Sequence, residues 1–234
     1  MKISPLELFN VLYGKFGNQN WWPIDKKYHE QNNTDPRFEI IIGAILTQNT
    51  AWINVEKALN NLKKEKIIDI KKLSKVDIRK LQEIIKPSGF FNQKAKRVKN
   101  IALYFHNNYN DNLDNFFSRE LSILREELLS LNGIGPETAD SILLYAGSKP
   151  IFVIDAYTKR ICKRIPLYTD SNYDKIQQYF EKNLENKFQK NELVKIYNEF
   201  HALILEFVKT YCKKKPECNN CPFQKKCSYN NLSS

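Results

Sequence analysis

Four of the five cysteines of this chain lie within one segment near its C-terminus, "CKKKPECNNCPFQKKC". Thiols clustered in this way indicate metal binding in a reducing compartment, where disulfides are rare. Four thiolates suit either a structural zinc ion or a [4Fe–4S] cluster. Zinc sites more often use two short C-x2-C pairs, so the single short pair favours iron–sulfur and leaves zinc open. The four candidate ligands are Cys212, Cys218, Cys221 and Cys227.

A second candidate for chemistry is Asp155, a carboxylate that follows the apolar run "IFVI" and precedes the helical pattern "AYTKRICKRI". Aspartate is a favoured helix N-cap, and capping alone would explain its position. A fixed carboxylate can also stabilise positive charge that develops during a reaction. The two roles are compatible, because a cap holds the carboxylate against rotation.

The segment "NGIGPETADSILLYA" predicts two helices joined by a tight turn. Gly133 and Gly135 permit the sharp turn, and Pro136 suits the first turn of the second helix. Backbone N–H groups at the turn and the positive end of that helix would form a phosphate site. An ordinary helical hairpin that binds nothing is the alternative, and the basic charge of the chain favours the phosphate site.

The remaining sequence reads almost wholly as helices, so the predicted fold class is all-α. The segment "DPRFEIIIGAILTQ" is apolar on nearly every side and predicts a buried central helix. The polar stretch "NNYNDNLDN" is predicted to be a loop, and Cys162 a small buried residue in a helix. No repeat of solenoid length is present.

Charge and hydropathy restrict the class of partner. The chain of 234 residues carries a formal net charge of +11. This excess favours nucleic acid as the partner, although a Lys- and Asn-rich composition is also produced by genome bias. No segment approaches the ~18 apolar residues of a membrane span, and "MKISPLELFN" lacks the apolar core of a signal peptide. We therefore expect a cytoplasmic protein with no membrane partner.

Together these motifs resemble the helix-hairpin-helix DNA glycosylase superfamily, in particular the endonuclease III group. "LNGIGPETADSIL" matches its hairpin, "VIDAYTKRI" its catalytic-aspartate motif, and "ILTQNT" and "KPSGFFNQKAKR" its two DNA-facing loops. The cysteine segment resembles its iron–sulfur loop, although the first cysteine gap is five residues where the family pattern has six. The resemblance therefore implies a [4Fe–4S] cluster and a catalytic role for Asp155.

The same resemblance implies two helical domains with a cleft between them. Residues 24–149 would form a six-helix barrel with the hairpin, and residues 1–23 and 150–234 a terminal domain with the cluster loop. The hairpin and Asp155 would meet at the cleft, where a damaged base flipped out of double-stranded DNA would enter. The protein would act as a monomer associated with the nucleoid.

Several residues gain a DNA-binding role through the resemblance. Gln48 matches a residue that fills the space left by the flipped base, and Phe90 lies in the second loop as a wedge. Without the resemblance, Gln48 reads as a helix-end polar residue and Phe90 as a core aromatic. The other predicted DNA-binding residues are Asn49, Gly133, Ile134, Gly135, Thr138, Lys213, Lys214 and Lys215.

"NWWP", "ILTQNT", "PSGFFNQKAKR" and "GIGPETADSIL" also resemble the monofunctional 3-methyladenine DNA glycosylases of endonuclease III-like fold. Those members excise alkylated purines, and the best-known ones lack the cysteines. A methylated adenine is cationic, and an indole face attracts such a ring by ~0.5–2 kcal/mol. Core packing is the alternative for the tryptophans. The predicted pocket residues are Trp21, Trp22, Pro23, Trp52 and Glu137.

Glu137 also bears on the type of reaction. In relatives that cut the strand, a lysine at this position forms a Schiff base with the sugar, and a carboxylate cannot replace that amine. We therefore predict a monofunctional glycosylase without lyase activity at abasic sites. The alternatives are an endonuclease III-like glycosylase with lyase activity, a glycosylase for uracil, mismatched thymine, mismatched adenine or oxidised bases, and a non-catalytic iron–sulfur DNA-binding module.

Overall fold

A computed structural model describes residues 3–231 of the chain, and it consists of helices and connecting turns with no strand among those residues. This confirms the predicted all-α class. The chain divides into two compact units. The central unit is Trp22–Lys149, and the terminal unit combines the described residues up to Trp21 with those from Pro150 onward.

The central unit forms around α3 (Pro36–Leu46), in which every residue from Phe38 onward is buried. Asp35 caps its first turn, and Pro36 occupies the first helical position, where a missing N–H costs nothing. The long α7 (Phe91–Tyr109) packs against α3, α5 (Ile70–Lys75) and α6 (Ile78–Ile85). The other helices of this unit are α2 (Lys26–Asn32), α4 (Trp52–Lys64), α8 (Leu113–Phe117), α9 (Leu121–Ser130) and α10 (Pro136–Ser141).

The predicted loop "NNYNDNLDN" is much shorter than its polar composition indicated. Helix α7 continues to Tyr109 and α8 begins at Leu113, so only three residues connect them. The ring of Phe116 packs edge-on against those of Phe105 and Tyr109, at centroid distances of 5.0 and 5.1 Å. This aromatic packing holds the helix ends in place despite the neighbouring asparagines.

The terminal unit contains α1 (Pro5–Phe16), α11 (Ala156–Arg164), α12 (Tyr173–Glu185), α13 (Leu193–Thr210) and the short α14 (Ser228–Asn231). Residues 151–154 are buried and belong to no helix or strand. Side chains of α12 bind the backbone of Phe152: its N donates to Glu181 Oε1 at 2.9 Å, and its O accepts from Gln177 Nε2 at 2.6 Å. These bonds fix the segment that leads into Asp155.

Among the described residues, no helix is both long enough and apolar enough to cross a bilayer.

Candidate active site and metal centre

Asp155 is the N-cap of α11 and is only 6% exposed. Its Oδ1 accepts hydrogen bonds from Thr158 N at 2.7 Å and from Thr158 Oγ1 at 2.8 Å. The capping role that the sequence indicated is therefore present. It fixes the carboxylate in one orientation, as a group that stabilises charge must be fixed.

His201 is a neighbour of Asp155 that the sequence did not indicate. It lies on α13, is buried, and places Nε2 3.6 Å from Asp155 Oδ2. Burial alone would raise the pKa of the Asp155 carboxyl, but the adjacent His201 imidazole and the hydrogen bonds from Thr158 hold that pKa below its usual range. The carboxylate therefore stays ionised inside the protein. A lone histidine in an apolar helix gives no local sequence signal of this contact.

The predicted hairpin joins α9 to α10 through a turn at Gly133, whose φ is +83°. A Cβ atom at Gly133 would lie 2.2 Å from Arg97 Nε, so the turn has no room for a side chain. Gly135 is exposed and precedes α10 without a side-chain cap. The side chains of Ile134 and Thr138 are buried. Any phosphate contact at those two positions would therefore be made by backbone groups.

Gln48 connects the first predicted DNA-facing loop to the hairpin. Its Nε2 donates to Gly133 O at 3.0 Å and to Thr138 Oγ1 at 2.9 Å. Arg97 Nη1 donates to its Oε1. Gln48 is thus more than a polar residue at a helix end. Its neighbour Asn49 is exposed, with φ of +53°.

Phe90 lies on the surface, and its reading as a core aromatic is wrong. The side chain is 64% exposed, and the residue immediately precedes α7 with φ of +46°. An exposed aromatic residue in the left-handed region is uncommon and marks a candidate functional position.

The predicted tryptophans are distributed over both units. Trp22 packs edge-on against Trp52 at 5.2 Å and against Tyr145 at 5.2 Å. The Trp22 ring also packs directly on Gly43: a Cβ atom at Gly43 would lie only 2.8 Å from Cζ2 of Trp22. Trp21 belongs to the terminal unit. In that unit, the buried Glu199 carboxylate accepts hydrogen bonds from the two backbone N–H groups that precede Trp21, those of Gln19 at 2.8 Å and Asn20 at 3.0 Å.

A cavity of about 270 Å³ lies in the central unit, with the exposed Pro23 and the half-buried Trp52 in its wall. Its polar wall includes Glu39, whose carboxylate is 2.7 Å from both His29 Nε2 and Lys63 Nζ. The pairing neutralises the buried acid.

All four clustered cysteines line one small cavity in the terminal unit, of about 20 Å³. Ile165, Phe207 and Tyr211 contribute apolar walls, and Arg164 Nη1 lies 3.4 Å from Cys212 Sγ. Among the described residues, no three His, Cys, Asp or Glu side chains converge on a position for a single ion. Four thiols around one apolar cavity nevertheless have the chemistry of a ligand set for zinc or an iron–sulfur cluster, both of which thiolates bind. The fifth thiol, Cys162, does not line this cavity. It is buried in α11, and burial raises its pKa to about 12.

The remaining predicted residues are exposed. Glu137 lies in the first turn of α10. Lys213, Lys214 and Lys215 are exposed in the cysteine segment, and Lys213 Nζ pairs with Glu217 at 2.6 Å. The backbone carbonyls of Lys213 and Lys214 accept from Arg164 at 2.6 and 3.1 Å. This arginine therefore orders the basic part of the segment.

The HhH-GPD superfamily of base excision DNA repair proteins matches residues 42–186, which include the Gln48 loop, the Phe90 loop, the hairpin and Asp155. The chain belongs to this superfamily. The resemblance recognised from the motifs is thereby confirmed, and the family supports DNA glycosylase activity in base excision repair.

Curated relatives extend over nearly the whole chain. A candidate DNA repair glycosylase of Methanocaldococcus jannaschii is 45% identical over 223 residues, which are 94% of each chain. Endonuclease III of Sulfolobus acidocaldarius is 28% identical, over 96% of this chain and 97% of its own.

Two solved structures are similar to this chain over most of its length. The H. pylori 3-methyladenine DNA glycosylase MagIII, bound to 1,N6-ethenoadenine, is 30% identical with a TM-score of 0.72, over 88% of this chain and 98% of its own. An endonuclease III–DNA complex shares the fold, with a TM-score of 0.69 at 20% identity, over 99% and 98% of the two chains. The architecture is therefore that of the endonuclease III group.

Proposed function

We propose that the protein is a monofunctional DNA glycosylase that hydrolyses the N-glycosidic bond of a flipped, damaged base in double-stranded DNA. The observation that carries this proposal is the buried Asp155 carboxylate, which lies 3.6 Å from His201 and is held in one orientation by Thr158. Cleavage of the glycosidic bond builds positive charge on the sugar. A fixed carboxylate stabilises that charge and can orient or deprotonate the attacking water.

The absence of lyase activity is proposed from Glu137. This residue occupies the first turn of α10, where a strand-cutting glycosylase would need an amine. A carboxylate forms no Schiff base, so water is the nucleophile. The product is an intact strand that carries an abasic site.

An alkylated purine such as 3-methyladenine is the proposed substrate. Support comes from the 30% identity to a glycosylase whose structure holds 1,N6-ethenoadenine and from the Trp22, Trp52 and Tyr145 group. Indole faces attract a cationic base, and such a base is also a good leaving group. Trp21, Pro23 and Glu137 complete the proposed pocket.

A second candidate is a glycosylase of the same fold for uracil, mismatched or oxidised bases. The endonuclease III relative of Sulfolobus acidocaldarius, together with the four cysteines, favours this candidate. The first candidate requires the aromatic group to bind a cation, whereas the second does not.

We infer that DNA is contacted by the exposed Phe90 and Asn49, by the turn at Gly133 and Gly135, and by Lys213 to Lys215. For Gln48 to fill the gap left by a flipped base, its amide must exchange the bonds to Gly133 and Thr138 for bonds to the duplex. The lysines would neutralise phosphates, which strengthens binding to every sequence alike.

A [4Fe–4S] cluster is the proposed occupant of the cysteine cavity, with zinc as the alternative. Cys212, Cys218, Cys221 and Cys227 would each supply one thiolate. When bound, the group would cross-link the C-terminal segment, which has little regular structure of its own. Arg164 holds the backbone of this segment in place.

The test is release of free base from duplex oligonucleotides that each carry one lesion, measured with enzyme in excess. We expect release of 3-methyladenine and 1,N6-ethenoadenine to exceed release of uracil, thymine and 8-oxoguanine. Preferential release of uracil or an oxidised base would favour the second candidate. Binding without release of any base would support the non-catalytic module instead.

A further inference from the structure

Lys94 is a lysine in the first turn of α7 whose side chain is buried inside the central unit, with only 1% of its surface exposed. Its ammonium donates to three acceptors: Leu46 O at 2.8 Å, Thr50 Oγ1 at 2.6 Å and Ser88 O at 2.7 Å. An ammonium has three N–H donors, so each one has a partner.

Burial of a charged lysine is costly, because the ammonium loses its hydration. Desolvation, together with the charge of Arg97, lowers the pKa of Lys94 to about 8. An apolar side chain could occupy the same space without this cost. An apolar side chain could not, however, bind oxygens of different segments of the chain. The Lys94 ammonium binds three such oxygens and so connects those segments.

The three acceptors lie beside the residues proposed to contact DNA. Leu46 ends α3, and Thr50 lies two residues after Gln48. Ser88 lies two residues before Phe90, and its carbonyl oxygen also accepts from Thr50 Oγ1 at 2.5 Å. Lys94 and Thr50 therefore join the loop that carries Gln48 to the turn that carries Phe90.

Arg97, one turn further along α7, extends the same arrangement to the hairpin. It donates to Gln48 Oε1 and packs where a Cβ on Gly133 would lie. The face of α7 formed by Lys94 and Arg97 thus contacts the three segments of the central unit that are proposed to reach DNA.

We propose that Lys94 is a positioning residue that fixes the spacing between the Gln48 loop and the Phe90 turn, so that the two can open a duplex around a damaged base. The proposal rests on the proposed glycosylase function. It assigns Lys94 to opening of the duplex and leaves the chemical step to Asp155. Loss of Lys94 should therefore slow excision most where the base must be unstacked.

The experiment compares single-turnover excision by Lys94→Met and wild-type protein on two substrates. One is a fully paired duplex with the lesion, and the other carries mismatched pairs around it, so that the lesion already lies in an open bubble. We expect a loss on the order of 10²-fold on the paired duplex, the size of effect that misplaced contact groups produce, and most of that loss should be absent on the bubble. Lys94→Arg should restore part of the activity, since it retains donors.

Lys99→Met is the matched control. Lys99 lies on the same helix and donates to a backbone carbonyl, that of Val76 at the end of α5, away from the three segments. On each of the two substrates, this variant should excise the lesion as fast as wild-type protein does. Thr50→Val, which removes one acceptor and no charge, is the second test if Lys94→Met does not fold, and it should show the same selective loss on the paired duplex.

An equal loss on paired and bubble substrates would show that Lys94 only supports the fold, and it would overturn the proposal. Unchanged excision by folded Lys94→Met would overturn it as well. Unstacking is also measured without excision, by the fluorescence of 2-aminopurine placed beside the lesion. If wild-type protein excises nothing but unstacks the duplex, the proposed function fails, and this signal still decides the role of Lys94.

Discussion

Asp155 Oδ2 lies 3.6 Å from His201 Nε2, while the other carboxylate oxygen of Asp155 accepts two hydrogen bonds from Thr158. The carboxylate is therefore held on both sides by groups of its own unit. This arrangement combines a structural cap with a fixed negative charge, and the predictions that follow separate the two roles.

Asp155→Asn should bind lesion-containing DNA about as well as wild type but lose excision by a factor on the order of 10² or more. Asparagine retains the size and much of the capping ability of aspartate, and it removes the charge. Single-turnover excision and a binding titration measure the two quantities. Unchanged excision would leave Asp155 with the cap alone.

His201→Gln should move the acidic limit of excision to higher pH. In wild type, His201 and Thr158 keep the pKa of Asp155 below its ordinary value, so the carboxylate loses its charge only as the pH falls below the usual range for aspartate. Without His201, burial remains and raises that pKa. A pH profile of single-turnover excision measures the shift, and identical acidic limbs would show that His201 does not act on Asp155.

Wild-type protein should leave an intact strand with an abasic site, and borohydride should trap no covalent protein–DNA adduct. The reason is that Glu137 supplies no amine. Lys159, near Asp155 in α11, lies with Nζ 5.6 Å from the centre of the Tyr173 ring, an interaction that occupies its ammonium. Efficient trapping, abolished in Lys159→Ala, would identify this lysine as a nucleophile and overturn the monofunctional proposal.

Trp52→Ala and Trp22→Ala should each reduce excision of 3-methyladenine more than they reduce binding to undamaged duplex. Loss of one indole contact to a cationic base should slow excision by roughly 2- to 30-fold. The comparison lesion is an uncharged base, whose excision should change less. If circular dichroism shows that both variants unfold, the packing of Trp22 against Gly43 and Trp52 is structural, and the pocket lies elsewhere.

Purified protein should be brown and contain about four irons per chain. Replacement of Cys221 by serine should lower the iron content and loosen the C-terminal segment, which limited proteolysis would reveal. A colourless protein with one zinc and no iron would establish the alternative metal.

The helical class, the hairpin, the Asp155 motif and the cysteine cluster could all be predicted from the amino-acid sequence. Each of these depends on residues that are close along the chain, so spacing and local propensity specify them. Residues 107–115 show the limit of this reasoning, because polar composition predicted a loop where Phe116 packing preserves helix ends.

The contacts between groups that are distant along the chain could not be predicted from the sequence. His201 approaches Asp155, Glu199 binds the backbone before Trp21, and Lys94 lies in the interior with three backbone and hydroxyl partners. The exposure of Phe90 was likewise decided by the tertiary structure, against the local expectation for an aromatic residue. These contacts join residues far apart in sequence, and their energies depend on burial and on hydrogen-bond geometry, which only the folded arrangement of helices establishes.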